Sequence, residues 1–266
     1  MKIYISADIE GVAGVTQVDE TNADHAHFAP FAEQMSREVA AACEGAVAAG
    51  ATYILVKDAH WTARNIIASM LPREAELIRG WSGHPGGMTD GLVEGFDASL
   101  FVGYHAKAGT GGNPLAHTIS GGDIQTLRIN GELASEFRVA SFSSNMVGVP
   151  TAFLSGDAAI CADAESLYPG MATFATFKGK GRSTQSVHPD ISVESIRSGV
   201  EEILRSDVQA LAKPNPELFK VEIEYKRAPE AYYRSFYPGA TFKEERIVCF
   251  ETNDWFEVLR FFSFVI

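Results

Sequence analysis

Cysteine is scarce in this chain of 266 residues: Cys43, Cys161 and Cys249 stand far apart and form no CxxC pair. That excludes a disulfide framework and a structural zinc knuckle, and leaves buried, inert thiols as the expectation. Basic residues are in deficit as well, 22 Lys and Arg against 34 Asp and Glu, for a formal net charge of −12. A field of that sign repels phosphate backbones and anionic lipid, so nucleic acid and membrane surfaces are excluded as partners. No apolar run approaches the length of a membrane span, and the opening MKIYISADIEG lacks the long apolar stretch of a secretory leader. A cytoplasmic protein is the expectation. GxGxxG, GxxxxGKS/T and GxSxG are all missing, which removes the dinucleotide fingerprint, the P-loop and the nucleophile elbow. Internal repeats and low-complexity tracts are absent too.

What is present is an ordinary globular balance, 46% hydrophobic and 21% charged, in a chain long enough to bury a large core. KIYISADIE, TYILVKDAH, SLFVGYHA and TAFLSGD are nearly continuous apolar runs and predict buried strands of the parallel type. Between the first two, Phe31, Met35, Val39, Ala42 and Ala46 recur at helical spacing, with Gly50 as a stop, which makes a βαβ unit. A second helix is predicted to start near Gly131 and to lead into the strand at Thr151. The fold class is therefore α/β: a mostly parallel layered sheet with helices on both faces, spanning residues 1–170. Beyond Gly170, KVEIEYKRA and ATFKEERIVCFET alternate as half-exposed antiparallel strands do, and NDWFEVLRFFSF predicts a closing helix capped by Asn253. Residues 171–266 are expected to form a smaller α+β portion packed on the sheet, with no linker between the two.

The polar residues gather where those strands end. In an extended strand, residues i and i+2 share a face, so Asp8 and Glu10 are placed to converge, and Asp58 and His60 repeat the spacing. His105 ends a third strand. Ligands of open α/β sheets bind at the carboxyl ends of the strands. Two carboxylates so close raise one another's pKa unless a cation neutralises them. Mixed carboxylate and imidazole donors suit zinc, then manganese or iron, and Asp8 is the natural bridge between two ions. Singly, each residue has an ordinary explanation, a turn-forming Asp before Gly or a hydrogen-bonded His; three strand ends together favour a site. His117 lies twelve residues past His105, across AKAGTGGNP, and an imidazole returned to the cleft serves as nucleophile, general base or ligand. Gly11 to Pro30 and Ala106 to Pro114 are long irregular stretches, expected to be functional loops. His25, His27, His84 and His188 read as solvated side chains. Glu132 and Glu136 stand at i, i+4 on the predicted helix, and Lys178 and Arg182 either hold a carboxylate or solvate a loop.

Taken in order, SADIEG, KDAH, GYHAKAGT, AHTIS and a Glu-bearing helix before GVP and SGD resemble the DppA-type D-aminopeptidases, the M55 family of zinc metallopeptidases. The resemblance runs from Met1 to about Asp157 and continues more weakly through FKGKGRS. It implies two zinc ions: Asp8 bridging both, Glu10 and His60 completing one, His105 and a helix glutamate completing the other. Counting back from GVP favours Glu136 over Glu132 for that glutamate. His117 matches the residue assigned as catalytic nucleophile, with a general-base role open. The implied activity is metal-assisted hydrolysis of short peptides with a free amino terminus, including D-Ala-D-Ala, by a homo-oligomer of ten subunits. The final third keeps only the general pattern, which leaves stereochemical preference open. Two rivals use the same residues. One is another metal-dependent amidase or a phosphatase, for which only Lys57, Lys107 and Arg128 are close in sequence; the other is a non-catalytic metal or small-molecule binding domain.

Overall fold

The computed structural model describes all residues from Met1 to Ile266. A seven-stranded sheet forms its centre, built from β1 (Lys2–Ala7), β2 (Tyr53–Asp58), β3 (Ala75–Ile78), β4 (Ala98–Tyr104), β7 (Thr151–Asp157), β8 (Ala172–Lys180) and β9 (Ser183–Ser186), in the order β3-β2-β1-β4-β7-β8-β9. All neighbours are parallel except the terminal β8–β9 hairpin. β4 and β7 are buried along their whole length and β1 at all but its first residue, which is why their sequences are apolar without alternation. On one face Ile3, Ile5, Leu100 and Val102 pack against Met35, Val39 and Cys43 of α1 (Phe28–Ala48) and Ile196 and Val200 of α4 (Pro189–Leu204). On the other, Phe101, Tyr104 and Leu154 meet Phe137 and Ala140 of α2 (Glu136–Met146) and Ile160 and Ala164 of α3 (Ala158–Leu167). Ile5 is fully buried, so its truncation to alanine would cost about 2–5 kcal/mol.

The chain enters the sheet at its middle, runs outward through β2 and β3, then returns to place β4 on the other side of β1. β1 and β4 thus flank the point where the winding reverses, and the crevice there opens at their carboxyl ends.

A second, antiparallel sheet has the order β11-β12-β10-β5-β6, from β5 (Ile124–Ile129), β6 (Glu132–Leu133), β10 (Phe219–Tyr225), β11 (Thr241–Glu244) and β12 (Ile247–Thr252). Its inner face packs on Trp255, Phe261 and Phe262 of α6 (Trp255–Val265) and on Ala231 of α5 (Ala228–Arg234). The sheets redraw the expected partition at residue 170. β8, β9 and α4 belong to the first sheet and its covering, and β5 and β6 join the second from the first half of the chain.

Two element boundaries also differ from expectation. The helix expected from Gly131 begins only at Glu136, because Asn130 and Gly131, at φ of 55° and 84°, form the turn between β5 and β6. Asn-Gly is the favoured pair where both turn residues need positive φ. The closing helix is capped by Asp254, which accepts the Phe256 N–H at 2.9 Å, and Asn253 precedes the cap. Cys43 and Cys161 are buried, their thiols pushed up to about 12 by burial, whereas Cys249 is only partly covered; all three are free. No helix is long and apolar enough to cross a membrane.

Candidate metal centre

Strand β1 stops at Ala7, so Asp8 and Glu10 do not converge through strand alternation. A turn brings them together: the Val12 N–H bonds the Ile9 carbonyl at 3.0 Å. The segment is pinned along β4 by Asp8 N–H to the Val102 carbonyl and Gly11 N–H to the Gly103 carbonyl, both 2.8 Å. Such an approach demands glycine on both sides. A Cβ on Gly11 would lie 1.8 Å from the Tyr104 oxygen, and one on Gly103, at φ +74°, would lie 2.2 Å from the Asp8 oxygen.

His60 follows β2, and its expected companion Asp58 goes elsewhere. The Asp58 carboxylate accepts the N–H groups of Asn65 and Ile66 at 2.6 and 2.9 Å, while the Asn65 amide donates to the His60 carbonyl at 2.7 Å. Asp58 therefore shapes the loop that carries His60. His105 follows β4. Glu136 is the first residue of α2, behind the Ser135 cap that accepts the Arg138 N–H, where the helix dipole favours a carboxylate. Glu132 sits on β6 instead, exposed and paired with Arg138, so the two glutamates share no helix face.

Each ring has its tautomer set by a backbone carbonyl. His60 Nε2–H donates to the Thr21 oxygen at 2.8 Å, His105 Nδ1–H to the Ala106 oxygen at 2.9 Å, and His117 Nδ1–H to the Leu115 oxygen at 2.9 Å. The opposite nitrogens all face carboxylates. His60 Nδ1 lies 3.1 Å from Asp8 Oδ1 and 3.0 Å from Glu10 Oε2. His105 Nε2 lies 3.2 Å from Glu136 Oε2 and 3.5 Å from Asp8 Oδ2. His117 Nε2 lies 3.4 Å from Glu136 Oε1, which also accepts the Ile119 N–H at 2.6 Å.

Lone pairs aimed at carboxylates repel unless a proton or a metal ion stands between them. With protons alone, burial, with Glu10 beside it, pushes the Asp8 carboxyl well above its usual range. Against burial, which favours neutral rings, the surrounding acids hold His60 and His105 well above theirs. Burial also opposes ionisation of Glu136, yet His105 and His117 hold it down at about 2. A divalent cation replaces those protons and satisfies the carboxylates directly.

The donor set fits such an ion. Asp8 Oδ2, Glu10 Oε2 and His105 Nε2 are buried without a hydrogen-bond partner, a costly state for any polar atom. Two trios, Asp8–Glu10–His60 and Asp8–His105–Glu136, each bring their ligand atoms within 4.8 Å of one another, as do Glu10, His105 and His117. Asp8 belongs to both of the first two and gives one oxygen to each. Backbone carbonyls behind metal-facing imidazoles are the usual supporting arrangement.

The centre floors a cavity of about 650 Å³ whose walls include Trp61, Trp81, Leu115, His117 and Ile119. No lysine or arginine lines it. Lys57 lies behind Trp81, its Nζ 4.2 Å from the ring centroid, Lys107 pairs with Asp163, and Arg128 bonds the Gly131 carbonyl. Lys178 and Arg182 are exposed on the β8–β9 hairpin. His25 and His27 are exposed, His84 lies outside this cavity, and His188 caps α4. Sequence reasoning missed Asn113, whose amide bonds both the Glu10 carbonyl and Asp157 at 3.0 Å. It also missed the Thr21 carbonyl and the two tryptophans; Trp61, directly after His60, was the available signal.

The family model Peptidase_M55, described as D-aminopeptidase, matches residues 1–264. A D-aminopeptidase of Bacillus subtilis (strain 168) is 26% identical over 259 residues, covering 97% of this chain and 93% of that protein. The solved structure of the Zn-dependent D-aminopeptidase DppA from Bacillus subtilis, described as a self-compartmentalizing protease, superposes with a TM-score of 0.92. It is 25% identical, with 98% of this chain and 95% of that one covered.

Proposed function

The chain belongs to the M55 family of D-aminopeptidases, and from that premise we propose a zinc-dependent aminopeptidase that hydrolyses the first peptide bond of short peptides, D-residue peptides such as D-Ala-D-Ala included. The observation that carries this reading is the division of Asp8, with Oδ1 toward His60 and Oδ2 toward His105 and Glu136. One carboxylate serving two donor sets suits two ions per chain: Asp8, Glu10 and His60 hold one, and Asp8, His105 and Glu136 hold the other. Zinc bound there supplies Lewis acidity toward the scissile carbonyl and toward an attacking water.

The protein contributes the rest. His117 is the catalytic residue: its Nδ1–H is held by the Leu115 carbonyl, which leaves the lone pair on Nε2, 3.4 Å from Glu136 Oε1 at the chamber wall. That atom takes the proton from the attacking water and returns it to the leaving amine, or attacks the carbonyl carbon itself; in that case the C–N bond breaks, the amine leaves with a proton from water, and a second water releases the acyl group from Nε2. No lysine or arginine lines the chamber to pair with the charge of a phosphate ester beside the ions, which disfavours the phosphatase rival. The cavity volume suits a short peptide.

Like its self-compartmentalizing relative, the chain assembles with copies of itself, by family resemblance as a decamer. Tyr232, Tyr233, Phe236 and Phe264 are 60–71% exposed and supply an apolar surface for that contact. Three free cysteines suit a reducing compartment, the cytoplasm.

The test is to strip the protein with chelator, restore zinc, and assay alanyl-alanine of D and L configuration while counting ions per chain. The expected result is loss of hydrolysis on stripping, return with zinc at two ions per chain, and preference for the D substrate. Full activity in exhaustively stripped protein would overturn the reading.

A further inference from the structure

A second cavity, of about 460 Å³, lies between the segment Trp81–Asp90 and helices α2 and α6. We propose that it is the side-chain subsite of this aminopeptidase, receiving a large uncharged apolar side chain of the bound peptide. The inference rests on the aminopeptidase reading and deepens it.

Continuity with the metal chamber is the first argument. Trp81, Met88, Ile119 and Glu136 line both cavities, so a peptide held over Glu136 has the second space beside it. Chemistry is the second. Its inner wall is Val139, Ala140, Leu259, Phe262 and Ile266, and no lysine, arginine or unengaged acid is among its lining residues. Asp90 accepts the Ser82 hydroxyl at 2.6 Å, and His84 Nδ1 accepts the Gly86 N–H at 3.0 Å. The buried Ser143 oxygen is taken by the Trp255 indole at 3.0 Å. A charged side chain would be desolvated there without a partner, whereas an aromatic or branched aliphatic one buries its area.

Rigidity of the partition is the third. Trp81 is fixed from two directions: the Lys57 ammonium lies 4.2 Å from its ring centroid, and its indole N–H donates to the Trp61 carbonyl at 2.7 Å. Ile119 stands at φ +64°, a backbone region that β-branched residues avoid. Its N–H is held in that state by Glu136 Oε1 at 2.6 Å, which sets a 37% exposed isoleucine at the seam of the two cavities. Strain of this kind persists where surrounding contacts impose it, and it gathers at ligand sites.

Ser263→Phe tests the assignment. Ser263 lines the second cavity from the exposed side of α6, so the larger ring occupies the space without entering the core. Zinc-loaded wild type and variant are compared on alanyl-alanine and on dipeptides with phenylalanine at the first or the second position. In wild type one phenylalanyl substrate is favoured, and in the variant its kcat/KM relative to alanyl-alanine falls by about tenfold or more. A reduced-amide analogue of that dipeptide, which resists hydrolysis, weakens in Kd by a similar factor. If peptides are cleaved but neither ratio nor Kd moves, the subsite is wrong and the peptidase reading stands. If none is cleaved yet the analogue binds and Ser263→Phe weakens it, the subsite stands and the peptidase reading falls.

Discussion

The imidazoles of His105 and His117 lie face to face, ring centroids 4.4 Å apart and planes 17° from parallel. Both point Nε2 at one carboxylate, Glu136, and both have Nδ1–H committed to a backbone carbonyl. They differ in access: the His105 side chain is fully buried, whereas 24% of the His117 side chain is exposed to the chamber. In the proposed function the buried ring holds an ion and the open one meets the substrate.

His117→Ala should therefore separate catalysis from metal binding. The expected loss in kcat is about 10²–10⁴-fold, with ions per chain unchanged by elemental analysis. Wild-type turnover in the variant would remove His117 from the reaction, and loss of an ion would make it a ligand.

Asp8 is the one residue shared by the Asp8–Glu10–His60 and Asp8–His105–Glu136 trios, with Oδ1 toward His60 and Oδ2 toward His105. Asp8→Ala is expected to lower metal content from about two ions per chain to near zero, whereas His60→Ala lowers it to about one. Metal content counted by inductively coupled plasma spectrometry decides this. Equal loss from both variants would mean that the two donor sets bind as one unit.

Much of this was legible in the sequence, for physical reasons that can be named. β1, β4 and β7 are buried on both faces and β2 on all but its half-buried Tyr53 and Leu55, and apolar continuity is the signature of that environment. His60 and His105 are found by following those strands to their ends. Strand order was not legible, since neighbours are chosen by tertiary packing. The β5–β6 hairpin was overlooked although Asn130-Gly131 announces it, because the following ELASEF run also satisfies a helix. Asp58 has the spacing of a ligand, and only the positions of the Asn65 and Ile66 N–H groups show otherwise. The carbonyls of Thr21, Ala106 and Leu115 that set the tautomers belong to the backbone and carry no residue signature.

Glu38 lies outside the centre, yet it ties the Glu10 loop to the helices beneath. Its Oε1 accepts from the Ala13 N–H, the Gln34 amide and the Ser192 hydroxyl at 3.1, 3.0 and 2.9 Å, while Oε2 has no partner. Burial outweighs those bonds and pushes the carboxyl from 4.5 up to about 7. The folded state thus binds the proton more tightly than the unfolded chain does. That contribution is fully present below pH 4.5 and is lost as pH rises through about 7. Its ceiling is about 3 kcal/mol. Glu38→Gln should match wild type near pH 4.5 and melt several degrees higher at pH 8, as read by differential scanning calorimetry. A constant difference between the two across that range would place the Glu38 titration elsewhere.

The C-terminal aromatic cluster makes the last prediction. Tyr232 meets Phe236 edge-on at 5.2 Å and Phe242 at 6.1 Å, and Phe236 is 70% exposed and Tyr233 71%. Ring edges packed on one another and still open to water form a contiguous patch, which a lone soluble chain rarely keeps. If copies of the chain cover it, a charge at its centre must be desolvated on assembly, at a cost of several kcal/mol per contact. Because Phe236 contributes little to the monomer core, Phe236→Asp should leave the circular dichroism spectrum unchanged. Native mass, measured by light scattering, should drop from an oligomer to smaller species. An unchanged mass would show that the copies meet through another face, with the patch left uncovered in the assembly.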